Sequence, residues 1–476
     1  MMPIRPRSSI LRLGALVLAL LASGCATSLH TPYAAPSASV PAQWQYGATS
    51  ASGTATATRA GTAVHVAPLA PWWSGFNDPV LNQLVDQALL RNNDLAAAAI
   101  RVRRAQLQVG LAENQFGPTF SGNVSSGASR ALNGGGTARS SGISLGASYA
   151  VDLWNRLGSQ RDVAQWEALA TVQDREATAL SLVATTAQLY WQIGYLNQRL
   201  AANLQSIAVA QKTLELVQVQ YRTGAVSGLE LAEAQQNLSS QQASQTTLQQ
   251  QRVEAGTALD LLFDGVPVAV ETLPASLPDT TLPTVAAGLP AGLLARRPDL
   301  RAAELRLREA TSGIDATRAS YYPALSLTGG LGTSSASLLN ILKNPVASLG
   351  LGITMPFLQR TQRELDIQVS QSQRDEAVVN FRQTLYTAFS DVDNALSARQ
   401  QLSLQASLLE QALVAARQAE RLYEIRYRAG SVALKPWLDA QEKRRSAEIA
   451  VAENRFNRLG NHAALVLALG GEAATP

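Results

Sequence analysis

The chain has 476 residues, a formal net charge of +4, 16% charged and 5% aromatic side chains, a mixture that suits long packed helices better than a compact enzyme core. Residues 1–24 carry Arg5, Arg7 and Arg12 and no acid, so their removal takes the charge to +1. The basic isoelectric point is therefore no sign of nucleic-acid binding, and no basic stripe with interleaved aromatics supports one.

The apolar run from Leu13 to Leu21 is too short to span a bilayer and reads as the core of a secretory signal. Ala22-Ser23-Gly24-Cys25 follows it and resembles a bacterial lipoprotein signal, which makes 1–24 a signal peptide and Cys25 a lipidated first residue. Cys25 is the only cysteine, so no intramolecular disulfide is available, and no cofactor besides the covalent lipid is expected. Residues 25–71 are rich in Ala, Pro, Ser, Thr and Gly and read as an extended tether. Nothing after Cys25 offers about 18 uninterrupted apolar residues, so any crossing of a membrane falls to strands.

A first repeat spans 72–265. Trp72-Trp73-x-x-Phe76-x-Asp78-Pro79 introduces a helix near Val80, with Asp78 as its cap and Pro79 in its first turn. A second helix runs from about Asp94 to Phe116 and stops before Pro118. The period then changes to two, predicting strands near 118–130 and 141–154 around Asn133-Gly134-Gly135-Gly136. Ile143, Leu145, Ala147, Tyr149 and Val151 fall on one face, Ser144, Gly146, Ser148 and Ala150 on the other. Asn155 to Tyr221 contains no proline and predicts a long helix, which turns at a tip near 222–228.

Residues 266–298 form a proline-rich connector expected on the outside. A second repeat, 299–470, predicts strands near 323–335 and 346–358, a long helix from Arg360 and a tip near 428–435, before a tail at 471–476. The repetition is legible in the tips: Y-R-T-G-A-V-S-G-L-E-L-A-E-A-Q begins at Tyr221 and Y-R-A-G-S-V-A-L-K-P-W-L-D-A-Q begins 206 positions later at Tyr427. Gly224 and Gly430 read as the glycines that end one helix and start the turn into the next. Leu402, Leu409, Ala416 and Tyr423, like Ile207, Leu214 and Tyr221, recur every seven residues and predict coiled-coil seams.

Four strands cannot close a barrel, and open edges are not tolerated in lipid, so oligomerisation follows if the strands are transmembrane. Two copies give about eight strands and a filled interior; three give about twelve and a lumen, which suits the Gly, Ser, Thr and Ala of the second face.

The Cys25 lipobox, the W-W-x-x-F-x-D-P segment, A-R-R-P-D-L-R-A-A-E from Ala295 to Glu304 and the paired Y-R-x-G tips together resemble the outer-membrane factor family, the TolC-like channel-tunnels, in their OprM-like lipoprotein branch. The resemblance implies a mainly α fold with a transmembrane β-barrel: duplicated helical hairpins forming an α-barrel, and four strands per protomer in a trimeric twelve-stranded barrel. It implies an outer-membrane exit duct extending into the periplasm, partnered by outer-membrane lipid, a periplasmic adaptor and an inner-membrane RND transporter. It also implies a periplasmic closure by inward side chains, among them an acid that falls on Asp439, with Glu233 its counterpart in the first copy. Lys435, four residues before Asp439 on the same helical face, joins this expected constriction. Tyr221, Arg222, Tyr427 and Arg428 are candidate ties between helices, and Gly224 and Gly430 mark the turns expected to dock the adaptor.

Enzymatic readings are weak. Gly142-Ile143-Ser144-Leu145-Gly146 fits a nucleophile elbow only if a helix follows the serine, whereas the alternation continues to Leu153. His30, His65 and His462 are scattered without ligand spacing, so no metal site is expected. The same-fold alternatives are a duct for type I protein secretion or for metal ions; the alternative of another class is a periplasmic coiled-coil scaffold without a pore.

Overall fold

The structure is a computed structural model, in which residues 30–46 and 71–471 are described, apart from 38, 131, 135, 270–271, 280, 286, 289, 337–342 and 344. In chain order its elements are α1 (Pro79–Arg91), α2 (Asn93–Asn114), β1 (Thr119–Arg130), β2 (Thr137–Val151), α3 (Arg156–Arg222), α4 (Gly228–Leu261), the one-turn α5 (Leu293–Arg296), α6 (Pro298–Ser320), β3 (Ala324–Ser335), β4 (Pro345–Thr354), α7 (Arg360–Arg428) and α8 (Leu434–Ala468). β1 and β3 are offset by 205 positions at both ends, and α4 and α8 begin 206 positions apart. Cys25 and His65 lie outside the described residues.

The chain divides into two compact units. The first, residues 1–37, 102–171 and 302–382, holds the strands in one antiparallel sheet ordered β1-β2-β3-β4. Register makes the alternation coherent across the sheet. Val124 pairs with Ile143, Leu145 with Leu331, Tyr149 with Leu327, and Leu327 in turn with Leu351. One apolar face thus runs across all four strands, and it is exposed: Phe120, Val124, Leu145, Leu331, Leu349 and Leu351 are each at least 61% accessible. The opposite face carries Ser, Thr and Gly. A methyl group at Gly146 would meet Ser121 Oγ at 2.8 Å, and one at Gly350 would meet Thr328 Oγ1 at 2.7 Å, so either would force the facing hydroxyl to turn away. β4 ends at Thr354 rather than near 358, because Pro356 cannot extend the ladder and starts a turn of 3-10 helix.

Residues 30–37 are not a free tether. Asp315 on α6, 2% exposed, accepts hydrogen bonds from the backbone N–H of Thr31 at 2.8 Å and from its hydroxyl at 2.5 Å, while Arg318 also reaches that hydroxyl. Arg308 lies 4.5 Å over the Tyr33 ring. Polar and aromatic side chains within an otherwise small-residue stretch supply these attachments.

Also in this unit, Glu309 on α6 hydrogen-bonds Glu167 on α3. Burial first, then the neighbouring carboxylate, pushes its pKa up to about 7. A raised carboxyl pKa lends stability that is complete below the ordinary glutamate value and is lost as pH rises through 7. Glu309→Gln is therefore expected to flatten the pH dependence of stability: little change at pH 4, and a higher Tm than the parent at pH 8, read by thermal unfolding of the purified protein.

The second unit, residues 38–101, 172–301 and 383–476, is helical. Its core gathers Trp72, Trp73, Phe76, Leu81, Val85, Tyr190, Trp191, Leu259 and Val466. Asp78 caps α1 through Val80 N and Leu81 N, and its other oxygen accepts from Tyr190 at 2.8 Å, which ties the first turn to α3. The connector is not simply external. Leu277 sits in this core, and Pro274 and Ser276 press on Gly194, where a methyl group would lie 3.0 Å from the Ser276 carbonyl.

Heptad spacing governs the hairpins: Ala234, Gln241, Leu248 and Ala255 are the buried seam of α4, facing Asn203, Ala210 and Val217 of α3. The small residues let the helices approach closely. Asn203 Nδ2 donates to the Gln241 carbonyl and to Gln245 Oε1, and Asn454 of α8 makes the same pair of bonds to Leu402 O and Gln405 Oε1 of α7. A buried amide meets its partners in one register only, so each hairpin is fixed against sliding.

The R-R-P-D-L block closes the second repeat on itself. Arg297, with a side chain 12% exposed, donates to both oxygens of Asp299, to Asp391 on α7 and to the Ala468 carbonyl at the end of α8. Arg297→Ala leaves that carbonyl and two carboxylates without their cation and is expected to cost about 2–3 kcal/mol, seen as an earlier denaturant midpoint. An unchanged midpoint would show the cluster to be ornamental.

Candidate gate at the helical tips

Both tips are built the same way up to the turn. Ala225 N donates to Gln220 O at 2.8 Å and Gly224 N to Tyr221 O at 3.0 Å; Ser431 N donates to Arg426 O and Gly430 N to Tyr427 O at nearly the same distances. These are Schellman closures, and they require a left-handed residue: Gly224 has φ 75° and Gly430 has φ 70°.

Beyond the turn the copies differ. At the first tip Ser227 and Glu230 form a capping box, Ser227 Oγ accepting from Leu229 N and Glu230 accepting from Ser227 N. At the second, Ala433 gives α8 no side-chain cap. Burial does the work there instead: Leu434 is fully buried and Trp437 is 5% exposed. The Trp437 ring stacks on Tyr427 with centroids 5.2 Å apart, in a cluster with Val217 and Ala234 from the first hairpin. Tyr427 hydroxyl donates to Gln220 Oε1 at 2.8 Å, completing the joint between the two tips.

The residues expected at a constriction divide accordingly. Lys435 and Asp439 are in direct contact on the exposed face of α8, and Glu233 is near enough for its charge to act on Lys435. The contact with Asp439, and then the charges of Asp439 and Glu233, hold the Lys435 ammonium above its ordinary pKa. Because that pKa is raised, the ammonium side of the pairing is lost only as pH rises above the ordinary lysine value of about 10. Of the four candidate ties, Tyr427 crosses between hairpins. Arg428 does not: it pairs with Glu424 one turn back on α7, at 2.6 Å. Tyr221 and Arg222 stay exposed on the tip.

Sequence reasoning missed the clasp on the second hairpin. Arg444 of α8 contacts Glu420 of α7 and Glu448 on its own helix, and Glu448 also accepts from Arg417 of α7. Leu238, Leu214, Gln242 and Gln211 stand 206 positions earlier, so the first hairpin lacks every member of this network. The difference between the two copies was the available signal. Among the described residues no group of three or more His, Cys, Asp or Glu is placed to hold a metal ion.

The model of the outer membrane efflux protein family matches residues 84–264 and 289–471, one match to each repeat. The chain belongs to that family. As an outer membrane efflux protein it belongs to the outer membrane and reaches into the periplasm. The pyoverdine export outer membrane protein OpmQ of Pseudomonas putida is 33% identical over 412 residues, covering 84% of this chain and 87% of that protein. The cation efflux system protein CusC of Escherichia coli is 29% identical over 413 residues, covering 84% and 89%. A solved CusC structure superposes with a TM-score of 0.78 at 26% identity, covering 94% of this efflux protein and all of that chain.

The tip joint makes a stability prediction. Trp437→Ala empties the middle of the cluster and is expected to cost about 3–5 kcal/mol, whereas Tyr427→Phe keeps the stacking, loses one hydrogen bond and costs about 0.5–1.5 kcal/mol. Hydrogen exchange at the tip amides of both hairpins is the measurement, and equal effects of the two variants would contradict the ranking.

Proposed function

We propose that three copies of this chain assemble into a twelve-stranded barrel enclosing a water-filled exit duct, which the hairpins prolong into the periplasm. The observation that carries this is the four-stranded sheet: one face apolar and exposed across every strand, the other small and polar, with β1 and β4 as unpaired edges. Such a sheet satisfies its edge N–H and C=O groups in lipid only by joining copies of itself. Cys25 is lipidated and anchors the chain in the same membrane. At the periplasmic end Lys435, Asp439 and Glu233 line the closed mouth, threefold repetition bringing six carboxylates together, and the turns at Gly224 and Gly430 dock a periplasmic adaptor fed by an inner-membrane RND transporter. The cargo is small toxic organic compounds, moved passively; the duct performs no chemistry on it.

The test is electrical. In planar bilayers the purified trimer is expected to gate in steps, and Asp439→Ala is expected to raise open probability and lower cation preference, by removing three of six carboxylates and the Lys435 contact. Unchanged opening and selectivity would reject the latch; no conductance at all would reject the duct in favour of a scaffold.

Similarity to CusC favours one second reading, a duct for metal cations. It would need no resident ligands, since an exit duct does not have to bind what passes. Cells lacking the gene, challenged with silver and copper salts and separately with dyes and antibiotics, distinguish the two.

A further inference from the structure

One cavity of the helical unit is lined by cations that no described carboxylate neutralises. It measures about 260 Å³ and lies among Thr281, Leu282, Arg399, Ser403, Arg458 and His462, with Asn461 at its side. No carboxylate is among the described residues that line it. Arg399 spends one amino group on the Pro283 carbonyl, at 3.1 Å, while its other amino nitrogen, Nη1, is buried without a partner. Arg458 forms no ion pair with any described residue, and its charge acts on Arg399 rather than on an acid. His462 is 2% exposed, held between the rings of Trp72 and Phe76, and its Nδ1 is likewise buried and unpartnered.

Two guanidinium groups that never lose their charge, together in one partly dry cavity, repel each other unless an anion sits between them. The hydroxyls of Ser403 and Thr281 add neutral donors. Guanidinium forks match the paired oxygens of phosphate, and the volume admits such a group but not an extended peptide. We propose that this cavity is an oxyanion site, in which a phosphate-class group is held by Arg399 and Arg458. Burial, and then Arg399, hold the pKa of His462 down to about 4, so it adds no charge to the cavity at neutral pH. The phosphate group can come from a soluble ion or from a lipid headgroup, and the recognition chemistry is the same.

The full-length protein, purified in detergent in a phosphate-free zwitterionic buffer, is titrated by calorimetry with inorganic phosphate and, separately, with lysophosphatidic acid in the same detergent. Saturable binding of one equivalent per protomer is expected. Arg458→Gln should weaken it roughly tenfold to a hundredfold, the equivalent of one hydrogen bond to a charged group. Arg458→Lys, which keeps charge but not the fork, should fall between. Arg458 anchors no other described group, and an unshifted unfolding midpoint of the ligand-free variant checks that the fold survives. Binding of lysophosphatidic acid without binding of phosphate assigns the headgroup as occupant and supports the site. Saturable binding of neither, or binding that Arg458→Gln leaves unchanged, overturns it.

Discussion

Everything in the strand-bearing unit follows from the fact that a backbone amide in hydrocarbon has no water to bond. Four strands satisfy their own inner ladders and leave two edges bare, so the sheet is unfinished as a monomer. Its composition is consistent with that incompleteness. The lipid-facing side needs apolar residues at every second position, and the register delivers them in line even across β2 and β3, whose partners run from Val151 with Leu325 to Ser141 with Ser335. The other side is small, and at Gly146, Gly330, Gly350 and Gly352 a β-carbon would crowd a hydroxyl of the adjacent strand, which would have to turn away.

The helical unit solves a different problem, that of holding long helices in one register with few large side chains. Small seam residues bring the helices close, which gains packing but removes the knobs that would prevent sliding. Asn203 and Asn454 restore that specificity through bonds to the facing helix. A polar group inside a seam costs stability in general, and here it is fully partnered, so the cost is small and the register is unique.

Much of this was legible in the chain because it is periodic. The change from helical period to alternation located the strands, the duplicated Y-R-x-G motif located both tips, and Gly224 and Gly430 adopt the left-handed backbone that a glycine just past a helix implies. The parts that were not legible are pairings between distant positions. Nothing local distinguishes Trp437, the anchor of the tip cluster, from a surface tryptophan beside a proline. The clasp of Arg417, Glu420, Arg444 and Glu448 looks like a solvated charged stripe until α7 and α8 are laid side by side. The capping box at Ser227 and Glu230 is a local S-x-x-E pattern and was readable in the chain. Thr31 and Tyr33 were hidden by their surroundings, since a stretch of Ala, Pro and Ser reads as a tether however firmly two of its side chains are held.

The duplication also indicates where the two halves have taken on separate work. What a hairpin needs in order to exist is retained in both copies: the Schellman turn, the tyrosine one turn before it, and the buried amide in the seam. What differs is how each hairpin is held. The first is closed at its tip by a cap made of its own residues, with a neutral seam above it. The second has no cap and is held by an apolar plug and four charges bridging its helices, with Lys435 and Asp439 on the outward side of the same helix. An apolar plug shared with the first hairpin can part and re-form as a surface, whereas a charge network within one hairpin keeps its two helices together. The second hairpin is therefore held together by charge within itself and joined to the first by apolar contact.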